Sequence, residues 1–226
     1  MKALYITIVL AASCASTAKQ LPQSADPGAA VALFVANPSP RWNGLTFRER
    51  YYACNAVFIA NHVAVTSISC FFVAEEGASR YYTVDMNKIV LETKSERFTV
   101  EKILLSWDTN LTFLVTKEKG NPIHFHLGRV AVAVQERLRL VGSSIQGFRQ
   151  FTELESVATV RAERFGNQHD GEFFIVNSEA AKEARGAALF RKNGEFAGFV
   201  DEGGKGGGAL VIPADVVLRE LQRVMP

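Results

Sequence analysis

The sequence predicts an all-β protein with a helix near its C-terminus, and three observations predict it. Short apolar runs rich in β-branched and aromatic residues recur along the chain, bounded by Gly, Asn, Pro or charged residues. One pair of these runs is separated by Asn193-Gly194, a hairpin signal. Past Pro213 the apolar period lengthens from that of a strand to that of a helix. Many short strands with turn signals specify a barrel or a sandwich, and the pattern alone does not choose between them.

The elements follow in chain order. Val31 to Val35 is the first predicted strand. Asn55 to Ala60 and His62 to Thr66 are the next two, tightly joined. Tyr81 to Val84, Lys88 to Leu91, Phe98 to Leu105 and Leu111 to Thr116 follow. In the second half, Leu138 to Val141 ends at Gly142. Leu154 to Arg161 alternates, with Leu154, Ser156, Ala158 and Val160 on one face. Phe173 to Val176 is a continuous apolar run. Ala187 to Phe190 and Glu195 to Val200 flank the Asn-Gly pair, predicted as a two-residue turn with positive φ at both central residues. Leu210 to Ile212 is the last strand. In the helix, about 214–225, Val216, Val217, Leu218, Leu221 and Val224 recur near helical spacing, with Arg219, Glu220 and Arg223 mainly opposite.

A chain of 226 residues suits one or two domains and can bury a core. Its hydrophobic fraction of 48% and charged fraction of 21% are those of a folded globular protein. A net charge of +2 builds no strong field, so nucleic acid is not an expected partner. Residues 1–18 read as a signal peptide: Lys2, an apolar run from Ala3 to Ala12, then small Ser16 and Ala18 at the positions a signal peptidase reads. Cleavage is predicted after Ala18, which makes the protein secreted and extracellular. In a competing reading, Cys14 is the lipid-attached residue of a lipoprotein. Residues 19–28 are a polar, exposed lead-in, and no other stretch is long and apolar enough to span a membrane.

Cleavage leaves Cys54 and Cys70, and a secreted chain with two cysteines usually pairs them; the alternative is two buried free thiols. The pair would stabilise by about 3 kcal/mol on the chain-entropy account.

The segment around these cysteines carries a family signal. Cys54-Asn55-Ala56-Val57-Phe58-Ile59, then Val63-Ala64-Val65-Thr66-Ser67-Ile68-Ser69-Cys70, resembles the trypsin-like serine proteases. There, a Thr/Ser-Ala-Ala-His-Cys run closes a disulfide behind the catalytic histidine. Thr109-Asn110-Leu111-Thr112-Phe113-Leu114 resembles the family's Asn-Asp-Ile-Ala-Leu-Leu run. Leu138 to Gly142 resembles the strand opening the second barrel, and Ala184-Arg185-Gly186-Ala187-Ala188-Leu189 resembles Asp-Ser-Gly-Gly-Pro-Leu. Gly194 to Val200 resembles the strand leading to the specificity pocket, and Gly208 to Ile212 with the final helix resembles the family's ending. The likeness spans about Ala29 to Met225. It implies two antiparallel six-stranded β-barrels within 29–226, the first about 29–128, the second about 129–212.

The same resemblance implies a degenerate site. Ser69 stands at the histidine, Asn110 at the aspartate and Arg185 at the nucleophile. A serine hydroxyl is no base at neutral pH, an asparagine has no charge to stabilise an imidazolium, and an arginine has no nucleophilic oxygen. Glu183 replaces the oxyanion-donor glycine, Ala184 replaces the aspartate that pairs with a freed amine, and no Arg-Ile-Val-Gly-Gly activation sequence precedes the first strand. Glu179, Asp201, Glu202 and Gly203 fall at the former specificity pocket, where Glu179 would attract a basic side chain; the other reading of Glu179 is an ordinary exposed glutamate. A rebuilt triad using His62, Asp108 and Ser143 or Ser144 would need new geometry for every member.

The remaining motifs have plain readings. His124-Phe125-His126 could be half of a metal site, but no third ligand is evident, so no metal or other cofactor is expected. Gly203 to Gly208 lacks the Gly-Lys-Ser/Thr of a phosphate loop and precedes a strand. Asn110-Leu111-Thr112 is a formal glycosylation sequon that folding should hide. Arg41, Trp42, Arg48 and Arg50 crowd one early loop, which is either a solvated hairpin loop or a set of candidate anchors for a protein partner. The resemblance thus implies a non-catalytic serine protease homologue that binds a protein. The rivals are an active endopeptidase with an unconventional triad and a secreted bulk protein using the fold.

Overall fold

The computed structural model describes residues 31–36, 52–74, 81–83, 89–93, 96–123, 132–146, 150–166, 172–203 and 208–225. The first half holds β1 (Val31–Ala36), β2 (Tyr52–Ala60), β3 (Val63–Ser67), β4 (Phe72–Ala74), β5 (Tyr81–Thr83), β6 (Val90–Glu92), β7 (Arg97–Ser106) and β8 (Leu111–Thr116). The second holds β9 (Arg137–Gln146), β10 (Gln150–Gly166), β11 (Glu172–Asn177), α1 (Glu179–Glu183), β12 (Ala188–Phe190), β13 (Phe196–Gly203), β14 (Ala209–Pro213) and α2 (Ala214–Val224).

These strands close into two antiparallel barrels. The first runs β1-β2-β3-β8-β7-β6, and the second runs β10-β11-β14-β13-β12-β9. Closure leaves no free edge in either sheet, so every strand finds partners on both sides. β4 and β5 form a separate two-stranded sheet. The expected pair of six-stranded barrels with a C-terminal helix is the observed architecture. Among the described residues no helix is long and apolar enough to cross a membrane.

Alternation along the strands explains why both halves read as near-continuous apolar runs. In β2, Cys54, Ala56 and Phe58 point into the first barrel, while Val57 and Ile59 point out of it. In β8, Leu114 points in and Leu111 and Phe113 point out. The outward set meets Ala188, Phe190, Phe196, Phe199 and Ile212 of the second barrel in one apolar cluster. Val176, Leu189, Val200 and Val211 fill the second barrel's own interior. Strands at the junction are therefore buried on both faces, and burying each large side chain stabilises by about 1.5–3 kcal/mol.

Helix α2 seals one end of that junction. Val216 and Val217 join the shared cluster, with Leu221 and Val224 packed against it. Glu220, expected on the solvent side, is instead 6% exposed. Its carboxylate accepts from Ser106 Oγ of β7 at 2.7 Å and from Arg223 Nε at 2.9 Å. The helix end thus reaches past its own barrel to bond the first one.

Three local expectations change. The hairpin between β12 and β13 is not a two-residue turn, because Gly194 has φ 83° while Asn193 does not take positive φ. Arg191 and Glu195 close it instead, with Gly194 N–H donating to the Arg191 carbonyl at 2.9 Å. This is the longer loop in which one glycine carries the left-handed residue. Helix α1 was not expected: five residues are too few for a periodic signal, though Ser178 caps it by accepting the Ala181 N–H at 3.3 Å. Strand β4 is likewise not among the expected strands. The segments predicted as a signal peptide and lead-in, and the early segment with Arg41, Trp42, Arg48 and Arg50, lie outside the described residues, as do His124, His126, His169 and residues 204–207.

Candidate functional site at the barrel junction

The site is assembled where three connections converge. The first is the exit from β3. Ser67 ends the strand fully buried, and the chain turns into a 3-10 turn, Ile68–Phe71, that carries Ser69. A disulfide between Cys54 and Cys70 ties that turn to β2, as the sequence predicts. Thr66 adds to the tie: its hydroxyl donates to the Asn55 carbonyl at 2.7 Å and lies 3.2 Å from the Cys70 sulfur.

The second connection is the 3-10 turn Trp107–Thr109 between β7 and β8. It ends on Asn110, at φ 58° and ψ 28°, a left-handed conformation that asparagine tolerates better than most residues. The Asn110 carbonyl accepts the Ile68 N–H at 3.0 Å, so the two turns brace one another. The third connection joins α1 to β12 and carries Arg185. Its carbonyl accepts two hydrogen bonds from Asn55, from the backbone N–H at 2.8 Å and from the side-chain amide at 3.2 Å.

The fold therefore brings Ser69, Asn110 and Arg185 together, each partly exposed. Arg185 Nη1 donates to the Ser69 carbonyl at 3.3 Å. Ser69 Oγ lies 2.5 Å from Ser67 Oγ and donates to the Asp201 carbonyl at 3.4 Å. The fourth member is Asp201, on β13 and 3% exposed. Its carboxylate oxygens accept the Asn110 amide at 2.7 and 2.8 Å, and its Oδ1 also accepts the Ser67 hydroxyl. Asp201 sits where the β13–β14 register shifts between Val200 and Glu202, a bulge of the kind that re-aims a side chain.

The other predicted positions fall as follows. Glu179 opens α1 and is exposed. Glu183 ends α1, and Ala184 behind it is buried in the second-barrel cluster. Glu202 and Gly203 continue β13 beyond Asp201. His62, the histidine among the described residues, is exposed in the β2–β3 turn, with Nδ1 3.2 Å from the Thr116 carbonyl. Asp108 is exposed and lies 4.0 Å from Arg223. Among the described residues no group of three His, Cys, Asp or Glu could hold a metal ion. Sequence reading did not single out Asn55 or Ser67, and it assigned Asp201 to the former pocket. None of the three carries a local signal for the junction, since each meets a residue far away in sequence: Asn55 meets Arg185, and Asp201 meets Asn110 and Ser67.

No family model matches the chain, and no curated protein matches it. Solved structures do. The inactive form of the Rv3671c protease is similar over 88% of this chain and 91% of that one, at TM-score 0.60 and 12% identity. The active form, from M. tuberculosis, gives TM-score 0.61 over 88% of this chain and 82% of that one, also at 12% identity. The MamO protease domain from Magnetospirillum magneticum, in its apo form, gives TM-score 0.55 at 16% identity, over 87% of this chain and 97% of that one. These likenesses establish the fold: the chain folds as a trypsin-like serine protease domain.

Proposed function

We propose that this protein is a secreted, non-catalytic homologue of the trypsin-like proteases that acts by binding another protein. One observation carries the reading. The three side chains gathered at the junction are a serine, an asparagine and an arginine, and the carboxylate beside them accepts hydrogen bonds from an amide and a hydroxyl. Acyl transfer in this fold needs a base that takes the proton of an attacking hydroxyl. Asn110 has no proton affinity to offer, and the Ser67 proton is already directed to Asp201. Arg185 supplies a fixed cation where a nucleophile would stand. Without chemistry, what remains is a rigid pair of barrels presenting loops, and protein contact is the work such a scaffold does. The apolar N-terminal segment and the Cys54–Cys70 disulfide support an extracellular, oxidising destination.

The test is covalent labelling of the mature, disulfide-intact protein by a fluorophosphonate probe, beside trypsin and an Arg185→Ser variant. Wild-type protein and variant are both expected to stay unlabelled while trypsin labels. Labelling of folded wild-type protein would overturn the reading and establish a serine nucleophile elsewhere in the chain.

A further inference from the structure

We infer that Asp201, Asn110 and Ser67 form an inter-barrel latch, in which the carboxylate of the junction comes from the second barrel and is used to fix the two barrels in register. The latch does not depend on whether the protein is catalytic.

The bonds to Asp201 all cross the junction, and Asn110 Nδ2 also donates to Ser67 Oγ at 3.4 Å within the first barrel. Ser67 ends β3 and Asn110 precedes β8, both of the first barrel, whereas Asp201 lies on β13 of the second. The resemblance expects the carboxylate at position 110. The structure has the amide there, and the carboxylate faces it from across the junction. Donor and acceptor have the complementary order: an amide N–H₂ and a hydroxyl can only donate to an ionised carboxylate, and both do. Placing a carboxylate at 3% exposure is costly unless hydrogen bonds compensate it, and the bonds donated by Asn110 and Ser67 contribute to that compensation.

The surrounding contacts explain why a latch has something to do. The apolar cluster that joins the barrels, with Val65, Phe113 and Phe199 among its members, attracts without direction. A carboxylate held by an amide and a hydroxyl adds direction to that attraction, because hydrogen bonds weaken steeply with angle. The bonds also reach the turns that carry the site. Ser67 Oγ accepts the Ser69 N–H at 3.0 Å, and Asn110 holds Ile68. Loosening Asp201 would therefore loosen the Ser69 turn.

An exchange experiment separates this from a merely local role. Three variants of the mature protein are compared with wild type: Asn110→Asp, Asp201→Asn and the exchanged double variant. Asn110→Asp sets two carboxylates against each other, and its melting temperature at neutral pH should fall by about 6 °C or more. That loss should shrink as pH drops through the carboxylate range, where one of the pair takes a proton. The exchanged variant restores one amide facing one carboxylate and should recover most of the loss. In Asp201→Asn, hydrogen exchange of amides in β3, β8 and β13 should speed up together, by about tenfold. An exchanged variant no more stable than Asn110→Asp, or folding no better if that variant does not fold, would overturn the latch. Faster exchange confined to β13 would overturn it as well.

Discussion

Gly186 leaves no room beneath Asn55: a β-carbon at position 186 would lie 1.8 Å from the Asn55 carbonyl oxygen. That oxygen already accepts the Thr66 hydroxyl at 2.7 Å. Gly186 also has φ 78°, so it is glycine for two independent reasons: the conformation and the close approach. At the residue after Arg185 the second barrel's chain thus lies directly against the first.

Replacing Gly186 by alanine should cost about 3 kcal/mol or more, because the strand must shift and the left-handed strain stays. Denaturant unfolding monitored by far-UV circular dichroism measures it. A loss within about 0.5 kcal/mol, the range of a neutral surface change, would mean that the barrels do not meet at this point.

The Cys54–Cys70 disulfide closes a sequence separation of 16 and is buried, at 2% and 0% exposure. Replacing both cysteines by alanine should destabilise by about 3 kcal/mol on the chain-entropy account. Urea midpoints of wild type and the double variant check this. The variant should also lose order at the Ser69 turn first, because Cys70 lies within that turn.

The acid side of the stability profile should carry a contribution from Glu118. The Thr99 backbone N–H, donating to Glu118 Oε2, holds this carboxyl below its ordinary value. A depressed carboxylate stabilises the fold above the unfolded-state value, and that contribution is lost as pH falls through the folded value. The difference in urea midpoint between wild type and Glu118→Gln should therefore be present at neutral pH and vanish in acid. Because the group is exposed, the difference should be small and should weaken in high salt. A difference that grows on acidification would contradict the assignment.

Much of the fold was legible because two-sided burial leaves a strong trace. Leu111 to Thr116 and Phe173 to Val176 read as strands without knowledge of their partners, and both are strands. The helix Glu179–Glu183 is too short to show a period. Asn193-Gly194 marked a hairpin correctly but not its turn, since the same dipeptide serves loops of different length. In the site, Ser69, Asn110 and Arg185 were identified from the order of short motifs. Their convergence follows from the fold that those motifs imply.

The sequence by itself determined the strand content, the cysteine pair available for the disulfide, and which residue types stand at the three converging positions. These are properties of single segments, fixed by side-chain period and chemistry. Tertiary structure decided where the carboxylate of the junction comes from. In sequence, Asp201 is one acidic residue beside another, Glu202. Whether it faces a pocket or the first barrel depends on the β13 register and on the shift beside it. A one-residue change of register reverses the face of every side chain in a strand, and register is set by distant partners. That is why Asp201, separated by 91 residues from Asn110 and by 134 from Ser67, could be recognised as their partner only once both barrels had closed.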